Sequence, residues 1–525
     1  MGETLLLREA RLVPVHQHLG GAYAWRARGP EAAAPAPRGT VDIRIADGAV
    51  RELAPTLERH PGEPELDLDG RWVLPGLWDQ HLHSTQWASA GARLDVSAAA
   101  SAREAAAMVA AHMAARPPAA GAVVQGFGFR DALWPDLPTR ALLDTAAGGA
   151  AVILVSGDCH CGWLSSAAAE SLGLPHGEGL VTEHAWFEVT ARLDSLARGT
   201  ADHAGAMADA ARRGVVGIVD VEWAPNHRLW PERVAAGLDA LRVRAGVYPD
   251  HLDEVLRAGL RSGDLIDGGA GLVTMGPLKV ITDGSLNTRT AFCHDPYGSP
   301  DHASGTEPAG GGKAFGQQNV PPAELTELLR RAVAGGLHVA AHAIGDGANT
   351  IALDAFATTG GHGSIEHAQL LARADIARFA ELGIVASVQP AHLLDDRDVA
   401  EACWPGRTDR MFPLRDLLAA RAQLAFGSDA PVAPLDPWLA MAAAVHRSAD
   451  DRAPWHDEQH LTPGEALAAS TDGWGTVAVG HPGDLAVLDD DPLARTAGTA
   501  EAAAHLRSMR VALTVVGGRV THRTL

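Results

Sequence analysis

Cysteine is scarce: there are four in 525 residues, Cys159, Cys161, Cys293 and Cys403, with no Cys-x-x-Cys pair among them. That excludes a disulfide framework and makes a reducing cytoplasm the expected compartment. No apolar run approaches the roughly 18 residues of a membrane helix, and the amino-terminal MGETLLLREARLVPV sets Glu3 before its leucines without a basic leader, unlike an export signal. Positive charge is also in short supply, 43 Lys and Arg against 64 Asp and Glu, for a formal net charge of −21. Nucleic acid and anionic membrane, which need clustered Lys and Arg, are therefore not expected partners. What is present, 46% hydrophobic and 20% charged residues, is the composition of a globular protein.

Both ends of the chain carry short β-type runs. VDIRIADGAV and ELDLDGRWVL lie before residue 75, separated from the first strand by the loop-like RARGPEAAAPAPRGT, and GDLAVLDDDPL and MRVALTVVGGRVTH close the sequence. Residues 1–75 and 476–525 are expected to build one small β-sandwich. Between them, Ala-rich helical runs alternate with apolar strand-like ones, as in MADAARRG then VVGIVDVEW, and ELLRRAVAGG then LHVAAHAIGD. This α/β alternation over 76–475 predicts a (β/α)8 TIM-like barrel, with its chemistry at the carboxyl ends of the strands. From His83 to the next strand end, Asp220, is 137 residues, against about 30 for one βα unit. An inserted cap over 95–205 is expected to fill the difference.

Candidate ligands arrive where strands end. GLWDQHLHS supplies His81 and His83, GPLKVITDGSL supplies Lys279, HVAAHAIGDGAN supplies His342, SIEHAQLL supplies His367 and LAFGSDAPV supplies Asp429. Imidazole and carboxylate suit Zn2+, and an open coordination position lets the metal activate water. Singly, each has an ordinary reading: His-x-His at a strand end, a snorkelling Lys279, a helix-capping Asp429. The Cys-His-Cys of GDCHCGW is spaced too tightly for a zinc knuckle.

Taken together, HLH, a strand lysine, HAIGD, IEHAQ and GSDAPV resemble the metal-dependent amidohydrolase superfamily. KVITDGSLNTRTAF and GSDAPVAPLDPW are similar to its amidohydrolase 3 branch, which includes N-substituted formamide deformylases, and HPGDLAVLDDDP resembles that branch's return to the small sheet domain. The resemblance implies that His81, His83, Lys279, His342, His367 and Asp429 are the metal set. It implies one or two Zn2+ ions, two where Lys279 is carboxylated to a carbamate. It further implies cleavage of a C–N bond, possibly of an N-substituted formamide, by metal-bound hydroxide. Asp429 then carries the proton and His160, in the cap, donates to the oxyanion. A homodimer is an expectation from the superfamily.

The alternatives are a deaminase with similar metal chemistry and a non-catalytic barrel acting as a binding protein. Glu183 aligns with a cap glutamate of the branch and either faces the site or is exposed. Asp283, four residues after Lys279, is expected to orient a turn. Cys159 and Cys161 depart from the branch's pattern, and Trp78, Trp87, Trp134 and Trp163 are candidates to line an apolar pocket.

Overall fold

The computed structural model describes residues 4–15, 36–119, 121–174, 177, 179–197, 201–298 and 314–525. Most of the loop-like stretch at 26–40, up to residue 35, lies outside them. Eight parallel strands form the central sheet in strict chain order: Leu77–Leu82, Val215–Asp220, Arg242–Val247, Val273–Ile281, Val339–Ala343, Gly363–His367, Val385–Val388 and Gln423–Phe426. The eighth strand returns to the first, where Leu82 bridges Ala430 in parallel and the Asp429 amide donates to the His81 carbonyl at 2.7 Å. The sheet is thus a TIM-like barrel, its strands buried along nearly their whole length. Burial on both faces explains the Val-, Ile-, Leu- and Ala-rich content of most of them.

Crossover helices start and stop on local signals. Pro249–Ala258 opens with proline at its first turn and ends at the left-handed Gly259, and Asp346–Thr359 ends at the left-handed Gly360. Gly363, with φ +146°, opens the sixth strand where a Cβ would lie 1.9 Å from the Val339 carbonyl oxygen. No side chain fits that approach.

The second sheet takes strands from both chain ends. Its order places Arg519–Arg523, Val511–Val516 and Leu485–Leu488 beside Trp72–Pro75, then Thr4–Leu12, Val41–Ala46 and Ala49–Ala54. The strand Thr4–Leu12 pairs antiparallel with Val41–Ala46 from Thr4 to Ala10, with a register shift between Leu7 and Ala10, and then parallel with Trp72–Pro75 at Arg11 and Leu12. The sheet's two halves share one core of residues such as Leu7, Ile43, Val487 and Leu513. Gly517 and Gly518, with φ of 59° and 90°, join the last two strands as the two-residue turn that needs positive φ at both positions.

A third, five-stranded sheet, with strands running from Leu94–Asp95 to Leu180–Thr182, lies in the insertion between the first and second barrel strands. The helix Ala102–Ala115 and the strand Ala151–Ser156 belong to this layer, with the strand Val123–Phe129 and the helix Arg140–Ala147 between them. Its own core includes Val109, Phe129, Leu143 and Trp163. Among the described residues no helix is long and apolar enough to cross a membrane.

Candidate metal centre

The first barrel strand delivers His81 to the barrel mouth almost fully buried. Its Nδ1 lies 2.6 Å from Glu366 Oε2. An ionised carboxylate only accepts, so Nδ1 carries the hydrogen and Nε2 is left with its lone pair toward the centre. Burial, then the Lys279 charge, pushes the His81 pKa down. Burial does the same for His342 and His367, holding all three imidazoles in the neutral form that binds metal.

Asp429 follows the eighth strand, its Oδ1 3.4 Å from His81 Nε2 and 3.2 Å from His83 Nε2. Burial pushes its carboxyl up, but His81, His83 and His367 outweigh this and hold it well below the usual range. His367 closes the sixth strand with its Nδ1 buried and without a hydrogen-bond partner, and its ring centroid is 5.0 Å from that of His81. His367 and Asp429 both adopt left-handed backbone, φ 71° and 57°. Strain of this kind in non-glycine residues is retained where the surroundings enforce it.

One donor atom each from His81, His367 and Asp429 lies within 4.8 Å of the others, and this is the only such group of three found among the described residues. The remaining expected ligands surround it. His83 meets Asp429, and Lys279, fully buried, places Nζ 3.1 Å from His81 Nε2. His342 packs its ring 4.5 Å from that of His367, but its Nε2 faces Gly284 O at 3.3 Å and Asp283 Oδ1 at 3.4 Å. The donor set of neutral imidazoles, one ionised carboxylate and an orphaned buried nitrogen fits a zinc-type cation.

His160 sits in the turn after the cap strand Ala151–Ser156 and reaches the barrel side, its ring 5.3 Å from that of His342. Glu183 is buried, not exposed, and lies 3.3 Å from His160 Nδ1, while accepting from Thr290 and Asn319. Burial opposes protonation of His160, but the Glu183 carboxylate raises its pKa to about 9. Asp283 does more than shape one turn. It accepts the backbone amides of Phe292, Ile344 and Gly345 and so ties the loop after Lys279 to the end of the His342 strand.

Two acids escape sequence reasoning. Glu366 orients His81, and the buried Asp79 accepts the amides of His81 and Ser428, joining the first strand to the turn before Asp429. The only signal is their position within two residues of a candidate ligand. Asp220 ends the second strand but serves Ser84 and the Trp230 indole, outside the three-residue group. Cys161 is buried and Cys159 is half-buried.

The four candidate tryptophans do not line the cavities around this centre. Trp134 and Trp163 pack in the cap and Trp87 against the barrel core, whereas Trp78 faces a cleft of about 750 Å³ at the amino-terminal ends of the barrel strands. Trp223, in the loop after the second strand, faces the centre in their place.

Similar sequences and a similar architecture are found in known proteins. LONG AFTER FAR-RED 3 of Arabidopsis thaliana is 28% identical over 453 residues, covering 78% of this chain and 75% of that protein. The N-substituted formamide deformylase of Arthrobacter pascens is 26% identical over 513 residues, covering 87% and 90%. The solved structure of a metal-dependent hydrolase from Pyrococcus horikoshii OT3 superposes with a TM-score of 0.72 at 25% identity, covering 94% and 99%. The model of the amidohydrolase family matches residues 65–522, from the second sheet through barrel and cap and back, and to that family this chain belongs.

Proposed function

We propose that this protein is a zinc-dependent hydrolase of C–N bonds in neutral amides, for which N-substituted formamides are a precedent among its relatives. The observation that carries the reading is Asp429. It is an ionised carboxylate held against two imidazoles at the barrel mouth, where two cavities share its side chain. His81, His83, His342, His367 and Asp429 would hold the metal, with Lys279 as a bridging ligand to a second ion once carboxylated. When bound, the metal polarises the acyl oxygen and acidifies water.

Asp429 takes the proton of the attacking water at a carboxylate oxygen and passes it to the departing nitrogen. His160, protonated at neutral pH through Glu183, donates to the oxygen on which negative charge develops. Protein purified without chelator should contain bound zinc and release free amine from an N-substituted formamide. Chelation should abolish turnover and added zinc restore it. Ammonia released from a ring amine in place of amide cleavage would reassign the enzyme as a deaminase. A folded, metal-free protein indifferent to chelator would remove the hydrolase reading altogether.

The His160–Glu183 pair adds a pH dependence. Because the raised pKa belongs to the protonated, donating form, kcat/KM should be full below it and fall as pH rises through about 9. Glu183→Gln removes the carboxylate that raises it, so the alkaline limb should move to lower pH. A limb unmoved in that variant would separate His160 from the oxyanion role.

A further inference from the structure

Aromatic residues make up only 5% of this chain, with three tyrosines in all, yet three rings of different types meet at one wall of the cavity beside His81. Trp223 and Tyr248 stack with centroids 4.7 Å apart and planes within 12°, and Phe187 joins Trp223 at 5.7 Å. Phe187 in turn meets the His160 ring edge-on at 5.4 Å, so the row of rings runs from the metal centre outward. The loop after the second barrel strand supplies Trp223, the end of the third strand supplies Tyr248, and the cap helix Glu183–Ala197 supplies Phe187. The wall therefore crosses the seam between barrel and cap.

Its polar atoms are already spent on the protein. The Trp223 indole donates to Asp250 at 3.3 Å and the Tyr248 hydroxyl to the Val221 carbonyl at 3.0 Å. Both rings are fixed, and what they present to a guest is π-face and C–H edge. The neighbouring cavity, which shares His160, His367 and Asp429, is lined instead by polar groups such as Arg130, Asn287, Asp395 and Asp396. A substrate spanning the centre meets rings on one side and charge on the other.

We infer that Phe187, Trp223 and Tyr248 form a specificity wall for a neutral planar aryl group attached to one side of the scissile C–N bond. The inference rests on the amide-hydrolase reading and narrows its substrate class to aryl-bearing amides. Offset or edge-to-face ring packing favours a phenyl ring over a cyclohexyl ring by about three- to tenfold beyond the area either buries.

The test compares phenyl amides with their cyclohexyl counterparts, substituted on the nitrogen in one series and on the acyl carbon in the other. It measures kcat/KM, and also binding by calorimetry. The zinc-loaded enzyme should prefer phenyl in one series. Trp223→Leu, which keeps apolar bulk, should bring the ratio toward unity, and Trp223→Phe should retain it. Hydrolysis with no phenyl preference, or with preference for a quaternary ammonium analogue, overturns the aryl wall and leaves the hydrolase reading standing. Preferential binding of phenyl compounds without cleavage supports the wall and overturns amide hydrolysis. Neither binding preference nor cleavage overturns both.

Discussion

Asp429→Asn should lower kcat/KM by about 10²- to 10⁴-fold, the range that positioned general acid–base groups contribute, with the fold intact. Asparagine is the informative replacement for two reasons. It preserves the shape of the side chain while losing the ionised oxygen that accepts a proton, and, with aspartate, it tolerates the left-handed φ of 57° recorded at this position. Alanine would add backbone strain to the loss of the carboxylate and blur the result. Metal content measured beside activity separates the two tasks of the group: a variant that keeps its zinc and loses turnover has lost the proton carrier. Activity within tenfold of the parent would sink the assignment.

Lys279→Ala should cost about a hundredfold or more, since even partners outside the ligand set cost 10- to 100-fold in metal affinity or activity. Burial pushes the Lys279 pKa down to about 8, so roughly a tenth of the side chain is the free amine at pH 7, far more than for an ordinary lysine. A neutral amine attacks the carbon of CO2, forming an N–C bond and releasing one proton, and the resulting carbamate is an anionic ligand able to bridge two cations. The parent protein should therefore hold two zinc equivalents and the variant fewer, with partial recovery in a short-chain carboxylic acid. The chain has only two lysines, Lys279 and Lys313. A carbamate carbon enriched from labelled bicarbonate and lost in Lys279→Ala is thus assigned at once. Full zinc occupancy in the variant would establish a single-metal site.

Much of the barrel is legible in the chain because a strand buried on both faces needs an apolar run and a crossover helix needs its own period. Polar residues interrupt the run in Leu77–Leu82 and Gly363–His367, which carry site residues, and in Arg242–Val247, which has two arginines. Their partners explain them: Arg242 pairs with Asp484 and Arg244 with Asp472, more than 200 residues away. Strand alternation likewise hides Glu366, because adjacent residues should face opposite sides. The left-handed His367 ends that alternation, and both residues reach His81.

Proximity in sequence misleads for the aromatic groups. Trp78 and Trp87 flank the HLH motif, but one faces the far end of the barrel and the other packs against its core. The rings beside the centre come from positions 187, 223 and 248.

By itself the sequence determined the kinds of candidate ligand side chain, their order along successive strand ends, the long insertion and the β-type termini. These depend on side-chain chemistry and on periodicity over a few residues, which are local properties. Only the tertiary structure decided which of those groups meet. His81, His367 and Asp429 converge because the barrel closes between residues 82 and 430. Glu183 meets His160 because the cap strands Cys161–Leu164 and Leu180–Thr182 pair, and Thr290 and Asn319 from the barrel side complete its hydrogen bonds. Convergence of this kind is set by closure and packing over hundreds of residues, and no short stretch of the chain encodes it.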